Sequence, residues 1–205
     1  REWNAYSMDK LRAEDFPVPP GPDEGGLSAW LVHQDGQRVV GEMFGRLLDA
    51  AREEVWLVQD YLMPDRAMIE RIRRLSASGV RVNILFSGAY SFLDKFHYAT
   101  GYRKLALIRA GARLWEYGHP LSHLHYKAVI VDERWFAIGS VNLNFRSAWL
   151  SKELNLLFEG REMGTPMLEN LEFLVSHSRP ISSEQAAGYR GGKYLLYYLL
   201  LFLGG

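Results

Sequence analysis

From Ala29 to Ser176 the hydrophobic pattern switches repeatedly between a period of two and a period near 3.6. Val80, Val82, Ile84 and Phe86 put every second residue on one face, as a strand does, while Val40, Met43, Phe44, Leu47 and Leu48 recur at helical spacing. Taken in order, the pattern predicts a strand over 29–33, a helix from about Arg38 to Ala51 and a strand over 54–60. A second helix opens at Pro64-Asp65 and stops at Gly79. Strand 80–86 and a long helix from about Phe92 to Arg109 follow, the helix closed by Gly111. Then come strand 113–117, two strands (123–131 and 135–138) around a turn at Asp132-Glu133-Arg134, strand 153–158, and a helix from about Thr165 to Ser176. Strands alternating with helices predict an α/β domain with a mixed, largely parallel sheet covered by helices on both faces.

Three regions follow. Residues 1–26 end in a stretch, Phe16 to Gly26, with four prolines and three glycines in eleven positions, which reads as a linker. Residues 27–180 form the domain. Residues 181–205 contain an apolar run, Tyr194 to Leu203, well short of the roughly 20 residues a bilayer span needs. It reads as a core-packing helix, a truncated span or an interfacial anchor. Lys plus Arg and Asp plus Glu balance at 24 each, so the basic excess of a protein that coats nucleic acid is missing. With no cysteine, thiolate chemistry and disulfides are excluded.

Chemistry concentrates between His123 and Ser147. On a strand His125 and Lys127 project together, with His123 beside them. Ser140 and Asn142, just past Gly139, repeat that parity, and Glu153 opens another strand. A neutral imidazole beside an ammonium, a hydroxyl and an amide suits a phosphate: the lysine balances charge while the other two donate hydrogen bonds. A carboxylate on the far ring nitrogen would orient the histidine. His123-x-His125 also invites a metal reading, but no third ligand stands at suitable spacing, so neither metal nor cofactor is expected.

His125-x-Lys127-x4-Asp132-x6-Gly139-Ser140-x-Asn142 resembles the signature of the phospholipase D superfamily, with Glu153 where members carry the carboxylate that supports the histidine. The resemblance implies that His125 is the nucleophile or the acid of a histidine pair, that Lys127 and Asn142 bind the phosphoryl group, and that Ser140 donates within the site. Asp132 is counted with the catalytic motif, although bracing the turn is its more natural task. Asn142 to Ser147, with Leu150 and Glu153, is similar to a stretch of bacterial cardiolipin synthases. Asp60-Tyr-Leu-Met-Pro-Asp65 resembles their Pro-Tyr-Phe-x-Pro-Asp/Thr segment. Asn144 stands in place of their aspartate, and Ser151-Lys152-Glu153 in place of Asn-Phe-Glu.

The implied activity is phosphatidyl transfer through a phosphohistidine on a phospholipid at a membrane surface, with the bacterial inner membrane as the expected location. Arg146 and His123 are the candidate substrate-binding residues. Against Arg146 stands a simple ion pair, and against His123 a surface or packing role. Asp94, Tyr102 and Arg103 lie where family members shape the pocket, but a solvated helix face is the simpler reading. The family mechanism uses two histidines and this chain has a single His-x-Lys. The second motif is therefore expected from an upstream half, which Trp3-Asn4 and Phe16-Pro-Val resemble the end of, or from a homodimer. Rival readings are a phospholipase D or homodimeric nuclease of the same superfamily, and a non-catalytic partner half.

Overall fold

The computed structural model describes residues 28–34, 39–88, 94–119, 122–144, 147 and 151–204. Its strands are β1 (Ala29–Gln34), β2 (Glu54–Gln59), β3 (Arg81–Ser87), β4 (Arg113–Tyr117), β5 (Ala128–Val131), β6 (Trp135–Gly139), β7 (Glu153–Glu159) and β8 (Ser178–Pro180). The helices are α1 (Val39–Ala50), α2 (Arg66–Ala77), α3 (Asp94–Arg109), α4 (Arg161–Ser176), α5 (Ser183–Ala187) and α6 (Gly192–Gly204). One sheet runs β1-β7-β6-β5-β2-β3-β4-β8. Only β2, β3 and β4 run parallel, joined through α2 and α3, and every other pairing is antiparallel. The parallel part is confined to these strands because the later connections are tight turns or returns, which join antiparallel neighbours.

Strand alternation divides the core into two layers. Val55, Leu57, Val82, Ile84 and Phe86 face α1, α2 and α3, while Val58, Leu85, Ile130, Phe136 and Phe158 face α4. The helices lie on both faces, as the sequence pattern requires. Asp65 caps α2 by accepting the Met68 N–H at 2.8 Å. Gly79 and Gly111 end their helices at φ 91° and 96°, a conformation that glycine adopts without strain.

Three expectations are corrected. Residues 123–127 precede β5 instead of forming part of it, and pairing begins at Ala128. Helix α4 begins at Arg161, four residues early, and carries Pro166 inside it. Strand β8 was not anticipated. It pairs with the last three residues of β4 and contains Pro180, which an edge strand tolerates.

Candidate active site

Register gathers the site at one end of the interior strands. Val58 opposite Ala128 sets the residues after β2 beside those before β5, and Ala128 opposite Ile138 brings Gly139 to Lys127. The Gly139 N–H donates to the Lys127 carbonyl at 3.2 Å. A Cβ on Gly139 would run into the Leu154 carbonyl and the Asn155 amide, so the crossing of β6 and β7 at this point admits only glycine.

Lys127 is buried, and its Nζ donates to the His125 carbonyl at 2.9 Å. Burial lowers its pKa below the ordinary lysine value, against the pull of the Asp60 and Glu153 carboxylates, which favour the ammonium. Ser140 Oγ donates to Glu153 Oε2 and accepts the Leu154 N–H at 3.0 Å, which ties the loop after β6 to the start of β7. Asn142 Oδ1 is buried and has no hydrogen-bond partner among the described residues. An unsatisfied buried amide oxygen costs about 1–3 kcal/mol, and as an acceptor it calls for a donor rather than an anionic oxygen. The His125 side chain is 74% exposed, so its ring stands open at that end.

Asp60 comes from the end of β2. Its Oδ1 lies 3.2 Å from His123 Nε2 and its Oδ2 lies 3.9 Å from His125 Nε2. On the other side of the His123 ring, Nδ1 meets Ser87 Oγ at 3.4 Å. The loop holding Asn142 is clamped from the same segment: Gln59 Oε1 accepts the Leu143 N–H at 2.9 Å, and Asn144 donates to the Tyr61 hydroxyl at 3.0 Å. Asn144 Oδ1 also accepts the Ser147 N–H at 2.8 Å. Next to Asn142 and Asn144 a groove of about 620 Å³ opens between α1 and α2, with Arg46, Asp65 and Arg71 on its walls.

His123, His125, Lys127, Ser140, Asn142 and Glu153 therefore share one end of the sheet. Asp132 does not, and its place among the catalytic residues is corrected. It sits at the opposite end of β5, where its carboxylate accepts the N–H groups of Arg52, Glu53 and Glu54 at 2.8, 2.9 and 2.8 Å. Burial pushes that carboxyl up, but the backbone donors outweigh it and hold it below the ordinary range. Asp132 and Glu133 take left-handed φ values of 53° and 48°, so the turn is strained and the carboxylate braces it. Arg146 lies outside the described residues, as does the Asp94 side chain. Tyr102 and Arg103 do not form a solvated face: Arg103 donates to the Tyr198 hydroxyl at 2.7 Å, and the Tyr102 and Tyr198 rings pack at 5.2 Å.

The family model described as "Cardiolipin synthase, PLD-like domain" matches residues 45–174, which include all of these site groups. The chain belongs to that phospholipase D-like family. Cardiolipin synthase A of Pseudomonas aeruginosa is 30% identical to this phospholipase D-like chain over 199 residues, covering 92% of it and 39% of the relative. Cardiolipin synthase of Halalkalibacterium halodurans is 26% identical over 164 residues, 80% of this chain and 32% of its own length. The chain thus spans about two fifths or less of these relatives. Among solved structures, Nuc of Salmonella typhimurium, a phospholipase D family member, superposes with TM-score 0.62 at 15% identity over 76% of this chain and 98% of its own. Phosphatidylserine synthase of Haemophilus influenzae gives TM-score 0.69 at 16% identity over 85% and 45%. The phospholipase D-like sheet accounts for the motif's spacing, since β5, the turn and β6 return the chain to the end it left. Asp60 and Ser87 were missed as site residues because each stands alone at a strand end, where only the sheet's strand order brings it to His123.

Proposed function

We propose that this domain carries out phosphatidyl transfer of the cardiolipin synthase type, breaking and remaking a phospholipid phosphodiester through a phosphohistidine. The observation that carries the reading is the meeting of His125, Lys127, Ser140 and Asn142 at one end of the sheet in a chain whose relatives are cardiolipin synthases. His125 attacks phosphorus, and the P–O bond to the leaving alcohol breaks. Lys127 balances the charge on the non-bridging oxygens, and the Asn142 side-chain N–H would donate to the phosphoryl group. The leaving oxygen takes a proton from a second imidazole, which returns it when the acceptor alcohol attacks the phosphohistidine. By the resemblance that imidazole belongs to a second His-x-Lys motif, from the other half of a longer protein or from a second copy. The exposed His125 ring leaves an open side for it.

A membrane surface is the expected workplace. Leu195, Leu196, Leu199 and Leu200 stand exposed along one side of α6, while Tyr198 and Leu201 pack inward beside Met63 and Ala99. Among the described residues no helix is long and apolar enough to cross a membrane, and the exposed leucines of α6 suit interfacial contact.

The test is the full-length protein with phosphatidylglycerol vesicles. Transfer onto a glycerol-type acceptor is expected, with His125→Ala lowering it by about 1,000-fold or more. Phosphatidic acid as the sole product would turn the reading toward a phospholipase D. Unchanged activity in His125→Ala would leave only the partner-half reading.

A further inference from the structure

The resemblance gives Glu153 the task of orienting the nucleophilic imidazole, yet Glu153 takes a hydrogen bond from Ser140 Oγ. The carboxylate that faces the imidazoles is Asp60. Its two oxygens are divided between two rings, Oδ1 at 3.2 Å from His123 Nε2 and Oδ2 at 3.9 Å from His125 Nε2. Beyond His123, Ser87 Oγ stands 3.4 Å from Nδ1, so both nitrogens of that ring have a polar neighbour. The line Ser87, His123, Asp60, His125 runs from a buried serine to a ring that is 74% exposed. The Asp60 side chain is 10% exposed, and its Oδ1 has no aligned hydrogen bond among the described residues despite the close histidine. A carboxylate so placed costs stability unless something uses its charge.

We infer that Asp60 is the positioning residue of His125, with His123 and Ser87 holding it in place. This rests on the reading of His125 as the nucleophile. An N–H directed at Asp60 from one ring nitrogen leaves the lone pair of the other free for phosphorus. The carboxylate then offsets the positive charge that the ring gains as the P–N bond forms. At 3.9 Å the contact is longer than a hydrogen bond, and a positioning role requires it to shorten when substrate orders the exposed ring. Lys127 and Glu153 are the other charged groups within reach. Lys127 feels both carboxylates, Asp60 before Glu153, so the ammonium and the imidazoles share the Asp60 charge.

The experiment uses the full-length protein and the synthetic diester bis(p-nitrophenyl) phosphate, which reports the chemistry independently of lipid recognition. Asp60→Asn is expected to lower kcat about 100-fold with little change in KM. His123→Gln, which keeps a polar group beside Asp60, is expected to keep most of kcat, and His123→Ala to lose about tenfold. A second measurement needs no turnover: the rate at which diethyl pyrocarbonate carbethoxylates His125, followed by mass spectrometry at one pH. That rate should change several-fold in Asp60→Asn, because the ring loses the carboxylate that orients it. An unchanged rate overturns the inference. So does a variant that keeps kcat. Should even the wild type fail to cleave the diester, the phosphodiester reading falls, and the carbethoxylation rate alone decides the coupling of Asp60 to His125.

Discussion

Lys127 shows how one residue's surroundings set the conditions under which the site can work. Burial favours the neutral amine and the two carboxylates oppose it, with a net pKa below that of an ordinary lysine. Phosphate binding needs the ammonium. As pH rises through this lowered value the charge is lost, so affinity for a diester should decline at a lower pH than an exposed lysine would allow. Arginine stays charged over the whole range. In Lys127→Arg the alkaline rise in KM should therefore disappear, while binding at neutral pH weakens about tenfold because the planar group does not fit a pocket shaped for a point charge. KM for the synthetic diester measured from about pH 7 to about pH 10 checks both effects. An alkaline rise that persists in the arginine variant would assign the limb to another group.

At the scale of elements, the right-hand end of the sheet is fastened by charge. Lys104 of α3 and Glu116 of β4, at 0% and 2% side-chain exposure, pair at 3.2 Å, and Arg179 of β8 reaches the other Glu116 oxygen at 2.7 Å. Burial raises the Glu116 pKa, but Lys104 and Arg179 outweigh it and hold the carboxyl below its ordinary value. A carboxyl lowered in the fold stabilises it above the unfolded value and stops doing so as pH falls through the folded one. Lys104→Met should cost about 3–5 kcal/mol, since it leaves a buried carboxylate with only the mostly exposed Arg179 and His97 at 3.9 Å beside it. Arg179→Met should cost at most about 1 kcal/mol. Urea unfolding at neutral and acid pH measures both, and the gap between Lys104→Met and wild type should narrow in acid.

The same elements show what the sequence made legible. The alternation in β3 and the glycines after α2 and α3 were readable because local geometry alone demands them. The motif from His125 to Asn142 was readable because its residues flank two adjacent strands, β5 and β6, joined by one short turn. The role of Asp132 was settled only by strand ends brought together, since its partners are about 80 residues away in the chain. Asp60 and Glu116 were missed for the same reason: each is an ordinary acidic residue until topology places another strand's histidine, or a helix's lysine, against it. Three-residue β8 has too little alternation to stand out.

For the whole molecule the remaining question is how a domain with no net charge would find a lipid substrate. Attraction to anionic headgroups has little excess charge to work with, so apolar contact must supply the binding. Helix α6 is the element suited to this. Residues at i, i+1, i+4 and i+5 fall within about 140° of arc, so Leu195, Leu196, Leu199 and Leu200 form one continuous stripe. Tyr198 anchors the opposite side through Arg103, and that bond to α3 lets the stripe face outward without the helix coming away from the domain. Burying one leucine is worth about 1.5–3 kcal/mol at full transfer, so Leu196→Gln with Leu200→Gln should weaken vesicle binding by at least roughly 100-fold while hydrolysis of the soluble diester is unchanged. Co-sedimentation with phosphatidylglycerol vesicles gives the first quantity, and a diester assay on the same preparation gives the second. If binding survives the double substitution, the stripe is not the membrane contact and another surface, or another part of a longer protein, carries it. A loss of both binding and diester turnover would instead mean that α6 holds α3 in place and supports the fold rather than the encounter with lipid.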